Sequence, residues 1–220
     1  MGLGTKERQM IARRAAQEIK PGMIVNLGIG IPTMVSNFVS PDLNVVFHGE
    51  NGVLGYGGTP ETGAEDENMC NAGGLPVNVS QGASFFDSTV AFGIIRSSRL
   101  DITVLGALQV SVRGDIASWV VPGRRVPGMG GAMELTQKTR RVIIVMEHLD
   151  KAGNSKIMTE CTFPLTARRC VDLIITDKAV IEVTGGKLLL REVACGTTIE
   201  EVLRLTDAPL ELHDAIDYFS

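Results

Sequence analysis

Between Asn44 and Gly58 only three residues can ionise: His48, Glu50 and Tyr56, set among Val, Phe, Leu and Gly. Glu50 follows a short apolar run, Asn44-Val45-Val46-Phe47, that reads as a buried strand. The C-terminal ends of strands are where open α/β sheets place their ligands. Gly49 and Gly52 flank the acid and leave room for a large substrate to reach its carboxylate. Partial burial would raise the pKa of Glu50 and strip water from it, which makes a carboxylate a better nucleophile. The competing reading is a tight Asn51-Gly52 turn with Glu50 as its solvated shoulder. The residue pattern alone leaves both open.

A second glycine group, Gly28-Ile29-Gly30, closes the apolar run Met23-Ile24-Val25-Asn26-Leu27. With an acid 22 residues after Gly28, it imitates a dinucleotide-binding fingerprint. Thr33 stands where the third glycine belongs, and the following helix is short, so nicotinamide binding is disfavoured. The third group, Pro127-Gly128-Met129-Gly130-Gly131-Ala132-Met133, offers consecutive backbone N–H groups with little side chain in the way. Such a loop can form an oxyanion nest, or be a plain surface connection. His48, His148 and His213 are far apart, the four cysteines form no CxxC pair, and no metal site is expected. No Ser or Cys nucleophile elbow is present either.

The elements that must position these groups alternate. The spacing predicts a helix over 5–19, stopped by Pro21-Gly22, and a strand over 23–27. A short helix opened by Pro32 and ending near Ser40 follows, then a strand over 44–47. Residues 56–71 read as a loop, 87–95 as a helix, 101–108 as a strand and 114–133 as a glycine-rich loop. Strands follow over 142–146, 171–176 and 179–183, the last turning at Gly185-Gly186 into 187–190. A helix from Thr198 to Leu205, with Glu201 three residues after its cap, completes the scheme. Runs apolar on both faces and separated by helices predict an α/β fold: a mostly parallel open sheet flanked by helices.

Composition agrees. The chain has 220 residues, 44% hydrophobic and 21% charged, which excludes an intrinsically disordered chain. No shift in composition divides it, so a single domain over 5–218 is expected. No run of ~18 apolar residues suggests a membrane span. A net charge of −4, with no basic run longer than Arg124-Arg125, gives no footprint for nucleic acid. Without a signal-peptide pattern and with unpaired cysteines, a cytoplasmic protein is expected. Glycine is the outlier, 25 residues where the average of about 7% would give roughly 15.

Taken together, the chain resembles the beta subunit of 3-oxoacid coenzyme A-transferases, the succinyl-CoA:3-ketoacid and acetate/acetoacetate type. The match runs over nearly the whole chain. It includes Ile11 to Ala15, Val25-Asn26-Leu27-Gly28-Ile29-Gly30-Ile31-Pro32-Thr33, Glu50-Asn51-Gly52-Val53-Leu54-Gly55 and Asn71-Ala72-Gly73-Gly74. It continues through Gly82 to Ser88, Trp119-Val120-Val121-Pro122-Gly123 and Pro127 to Leu135.

The resemblance implies a Rossmann-like transferase fold and a ping-pong reaction through a glutamyl-CoA thioester on Glu50. It also implies that backbone at Gly130, Gly131 and Ala132 stabilises the oxyanion, and that Asn26, Gly28, Gly30 and Asn51 line the substrate site. It implies no cofactor, coenzyme A being substrate and covalent intermediate, with short-chain 3-oxo or linear acids as exchange partners. The expected partner is an alpha subunit, in an assembly of two alpha and two beta chains, without which this chain would be inactive. A hydrolase using the same glutamate, a non-catalytic subunit and a sugar-phosphate isomerase are the alternatives. The chain departs from the family pattern at Gly49, where Ser is usual, and over 57–68 and 75–81.

Overall fold

The computed structural model describes residues 3–124, 126 and 128–220. Pro127, which opens the third glycine group, lies outside the described residues, as do Arg125 of the basic pair and Met1 and Gly2. The chain begins with α1 (Thr5–Ala16), which buries Ile11, Ala12 and Ala15 at helical spacing. It ends three residues earlier than the periodicity suggests, and Gly4 is its N-cap. Strand β1 (Ile24–Leu27) leads through Gly30 into a 3-10 helix, Ile31–Phe38, where the spacing predicts a regular α-helix. Then come β2 (Val46–Gly49), β3 (Val53–Tyr56), β4 (Val79–Phe85) and α2 (Ser88–Arg96). The Asp87 carboxylate caps α2 by accepting from the Val90 N–H at 3.0 Å.

The expected strand over 101–108 is shorter, ending at Leu105, and a further strand follows it. β5 (Ile102–Leu105) stays in the main sheet, and β6 (Gln109–Ser111) turns away to pair with β7 (Ile116–Ala117). After α3 (Ala132–Lys138) the chain forms β8 (Arg141–Val145), β9 (Ile157–Met158) and β10 (Leu173–Ile175). It finishes with β11 (Ala179–Thr184), β12 (Lys187–Ala194), α4 (Ile199–Leu205) and β13 (Leu210–Phe219). The Thr198 hydroxyl caps α4 by accepting from the Glu201 N–H, as the sequence spacing predicts.

The main sheet runs β13-β12-β11-β10-β8-β5-β1-β2-β3-β4, and β7-β6-β9 form a small second sheet. The central five strands, β2 to β10 in that order, are parallel. The wings β3-β4 and β11-β12 pair antiparallel, and β13 returns parallel to β12. The expected open, mostly parallel sheet is therefore observed; the β11-β12 wing matches the expected hairpin, whereas no apolar run in the sequence announces β3, β4 or β13.

Alternate residues of the central strands feed two cores. On one face Val25, Leu27, Ile102, Val104, Ile143 and Val145 pack under α1 and the 3-10 helix. On the other, Val142, Ile144 and Ile174 pack with Ile95 of α2, Leu135 of α3 and Val202 of α4. Burial on both faces explains why these strands read as continuous apolar runs.

Arg14 is buried at the end of α1 and fastens it to the sheet through Glu192 of β12 and Glu18. Arg141 of β8 also binds Glu18, at 2.8 Å. Burial alone would raise the Glu18 carboxyl. The hydrogen bond and charge of Arg14, with Arg141 behind them, outweigh that and hold it below its ordinary range. Arg14→Ala would leave the largely buried Glu192 without Arg14 and Glu18 with Arg141 alone, at a cost of roughly 3 kcal/mol. Since the folded-state pKa of Glu18 is lowered, its contribution is present above the unfolded value of ~4.3 and fades as pH falls. Thermal unfolding should show a Tm drop of several degrees for Arg14→Ala at pH 7, shrinking below pH 4.

Two glycines differ in what a side chain would meet. A Cβ on Gly52, whose φ is +110°, would stand 2.0 Å from the Phe86 carbonyl oxygen. Gly93, within α2, has nothing within 4 Å of that position. Gly52→Ala should lower stability by at least ~2 kcal/mol, whereas Gly93→Ala should raise it by ~0.5–1 kcal/mol, both read by thermal unfolding.

Candidate active site

The order of the central strands reverses between β1 and β5: from β1 the chain steps outward to β2, then resumes on the other side with β5 and β8. Such a switch point opens a crevice beyond the strands' C-terminal ends. A cavity of about 540 Å³ lies there. Leu27 and Gly28 leave β1 along one wall, and Leu105 and Gly106 leave β5 beside them. The two exits are joined by the Gly28 N–H, which donates to the Val104 carbonyl at 2.8 Å. A Cβ on Gly28 would come within 3.2 Å of that carbonyl oxygen, so the strand ends could not lie this close with a larger residue.

Glu50 enters from the end of β2. The Asn51-Gly52 turn does exist: the Gly52 N–H donates to the Gly49 carbonyl at 3.0 Å and the chain returns as β3. Yet Glu50 is half-buried, because the turn lies on the crevice and directs its carboxylate inward. There it meets Gly131 at the entry to α3. A Cβ on Gly131 would stand 2.2 Å from Oε2 of Glu50, and 3.2 Å from Cζ of Phe92 in α2. Only glycine admits the carboxylate at this distance. Burial pushes the Glu50 carboxyl above the ordinary carboxylate range, and the nearby Gly131 backbone N–H partly offsets this.

Of the site residues named from the sequence, the structure brings together Glu50, Asn26, Gly28, Gly130, Gly131 and Ala132 in one cavity wall. Asn26 is 2% exposed and forms part of the floor. Gly30 and Asn51 stand outside that wall. Gly30, with φ +94°, turns the chain into the 3-10 helix. The Asn51 side-chain amide donates to the Cys70 carbonyl at 2.8 Å and ties the turn to the loop after β3. That loop contributes Ala72 to the wall, and Gly106 and Ala107 close the β5 side. None of these three stands out as a site residue in the sequence, since small residues in loops carry no chemical signal of their own.

Gly28-Ile29-Gly30 opens a 3-10 helix instead of the α-helix whose N-terminus would hold a pyrophosphate. The larger cavity, about 870 Å³ beside the 3-10 helix, has only Tyr56 as an ionisable wall residue. Burial raises the Tyr56 hydroxyl still further from neutrality. Among the described residues no group of three or more His, Cys, Asp or Glu is arranged to hold a metal ion. The crevice thus offers one weakly acidic carboxylate, backbone donors beside it and walls of Leu, Ile, Met, Ala and Gly. This set suits attack on, and stabilisation of, an acyl group.

The family model described as coenzyme A transferase matches residues 8–205. A Bacillus subtilis protein, named as the beta subunit of a probable coenzyme A transferase, is 58% identical over 212 residues, 96% of this chain and 98% of its own. The succinyl-CoA:3-ketoacid coenzyme A transferase of Helicobacter pylori has a subunit that is 45% identical, covering 94% of this chain and 99% of its own. Among solved structures, the acyl-CoA transferase YdiF apoenzyme of Escherichia coli O157:H7 superposes with a TM-score of 0.80 at 19% identity. That alignment covers 100% of this chain but 44% of the YdiF chain, so it speaks for the fold. With the family model across most of its length and whole-length relatives at this identity, the chain belongs to the coenzyme A transferase family.

Proposed function

We propose that this chain is the glutamate-bearing subunit of a coenzyme A transferase, moving CoA between an acyl-CoA and a short-chain, 3-oxo carboxylic acid. The observation that carries this reading is the Glu50 carboxylate, half-buried and in contact with the Gly131 backbone inside the crevice. A partner alpha subunit completes the enzyme, two of each chain in the assembly, and the complex works in the cytoplasm. The relatives are themselves named as single subunits of such enzymes, which supports the partner.

An oxygen of the Glu50 carboxylate attacks the thioester carbonyl, the C–S bond breaks, and CoA leaves as thiolate from a mixed acyl-glutamyl anhydride. The thiolate then attacks the glutamyl carbonyl, releasing the first acid as carboxylate and leaving a glutamyl-CoA thioester. A second carboxylate attacks that thioester, and the thiolate next takes the new acyl group, restoring the Glu50 carboxylate. No net proton is consumed and no cofactor is needed, CoA being the substrate.

Three features of the site serve these steps. Raised basicity improves the nucleophile. The Gly131 N–H already lies beside the carboxyl oxygen that carries negative charge in each tetrahedral intermediate on the glutamyl carbon. Apolar walls keep water from the anhydride and the thioester, both of which it would hydrolyse.

The test is intact mass on the chain co-expressed with its alpha partner, mixed with acetoacetyl-CoA and treated with borohydride. Reduction of a Glu50 thioester to the alcohol removes about 14 Da, with loss of activity, whereas Glu50→Ala should be inactive from the start and show no change in mass. Transfer activity without any mass change would reject the covalent route. Gly131→Ala should cut kcat by ~100-fold or more, since its methyl group displaces the carboxylate and blocks the donor. On the acid side, kcat/KM should fall as Glu50 protonates, with an inflection above the ordinary ~4.3 because its folded-state pKa is raised.

A further inference from the structure

His48 lies two residues before Glu50, is fully buried, and forms no part of the cavity wall. Its ring spans two elements. Nδ1 faces the side-chain amide nitrogen of Asn26 at 3.3 Å, and Nε2 stands 3.2 Å from the Ala91 carbonyl of α2. An amide NH₂ can only donate and a carbonyl can only accept, so the ring is neutral with its proton on Nε2. Burial holds the imidazole below its ordinary pKa, against the two nearby carbonyls, and favours that neutral form.

The arrangement continues across the sheet. Asn26 also donates to the His48 carbonyl at 3.1 Å, and its Oδ1 accepts from the Thr103 hydroxyl at 3.2 Å. His48, Asn26 and Thr103 are register partners on β2, β1 and β5, which makes one polar row under the crevice. Beyond Ala91, the next residue of α2 is Phe92, whose ring tip meets Gly131. Arg96, one turn on, binds Glu134 of α3 at 2.7 Å. The Glu50 strand and the glycine loop thus reach each other through α2, and the only side-chain hydrogen bond from β2 to α2 among the described residues is made by His48.

We infer that His48 is a positioning residue: by clamping β2 to α2 it sets the spacing between the Glu50 carboxylate and the Gly131 N–H. This rests on the reading of Glu50 as nucleophile. His48 touches neither substrate nor the reacting atoms. Its loss therefore changes how often the nucleophile and donor are aligned, while Asn26 in the cavity floor keeps its bonds to the His48 carbonyl and the Thr103 hydroxyl.

The experiment compares His48→Leu and His48→Gln in the chain–partner complex. Leucine fills the space without hydrogen bonds, whereas the glutamine amide can still donate to Ala91. Expected for His48→Leu is a kcat at least ~10-fold down with KM for acyl-CoA within ~3-fold, and for His48→Gln a kcat within ~3-fold of wild type. Hydrogen exchange of the peptide over 128–135 should speed up in His48→Leu and return towards wild type in His48→Gln. Should the leucine variant fail to assemble, His48→Asn, which meets Asn26 but cannot reach Ala91, carries the same expectation. Unchanged kcat in the leucine variant, equal impairment by glutamine, or an effect on KM alone would overturn the inference. If wild type forms no glutamyl thioester, the proposed function falls separately. The exchange measurement then decides the clamp alone, because it needs no chemistry.

Discussion

Everything at this site depends on one close approach, a carboxylate oxygen against a backbone that has no side chain to spare. A Cβ on Gly131 would overlap Oε2 of Glu50, so the carboxylate and the backbone are kept in contact by an absence of volume. Three independent chain segments must therefore arrive at one place with glycine at the point of contact: the end of β1, the hairpin after β2 and the entry to α3. The switch point of a parallel sheet is the natural place for this, because neighbouring strands there send their connections in opposite directions and leave the crevice unfilled. The glycine excess in the composition is thus partly a consequence of the site.

The polar row beneath the crevice follows from the same requirement. Burying a histidine, an asparagine and a threonine in the middle of a sheet costs free energy unless each group finds a partner. Parallel register supplies the partners: it sets His48, Asn26 and Thr103 side by side on three neighbouring strands. A slip by one residue would place them on the opposite face, among Val25, Leu27 and Val104, where no acceptor waits. The row therefore favours a single register as well as shaping the floor.

What is legible in the sequence follows the same physics. Strands buried on both faces, β1, β5, β8 and β10, can be read because apolar runs have no other reading at that length. β4 and β13 cannot, because both are exposed edge strands held by backbone pairing more than by side chains. Val79-Ser80-Gln81-Gly82-Ala83-Ser84-Phe85 and the acid-rich 210–219 segment carry no core-facing pattern to read. Glu50 is legible as an isolated acid among apolar residues and glycines, whereas the partner it touches reads only as one of several glycines in a loop. The buried polar row does leave a usable signal, weak until the register is known: a single polar residue inside each of three short apolar runs.

Gly49 belongs to the same turn. A Cβ there would come within 2.5 Å of the Asn51 Oδ1, at the end of a side chain that can move, and 2.9 Å of a methyl of Val53, which is β-branched and buried in the core. A larger residue would therefore turn Asn51 aside and press on Val53, and the first bond lost would be the one from Asn51 to the Cys70 carbonyl. That bond ties the Glu50 turn to the loop that brings Ala72 into the cavity wall. Glycine at 49 thus lets the hairpin hold this loop directly. The hydrogen bonds of Asn71 to Gly73 and Leu75 give the loop an internal frame that can move as a unit once the tie is gone. A change at position 49 can in this way reshape the cavity wall around Ala72.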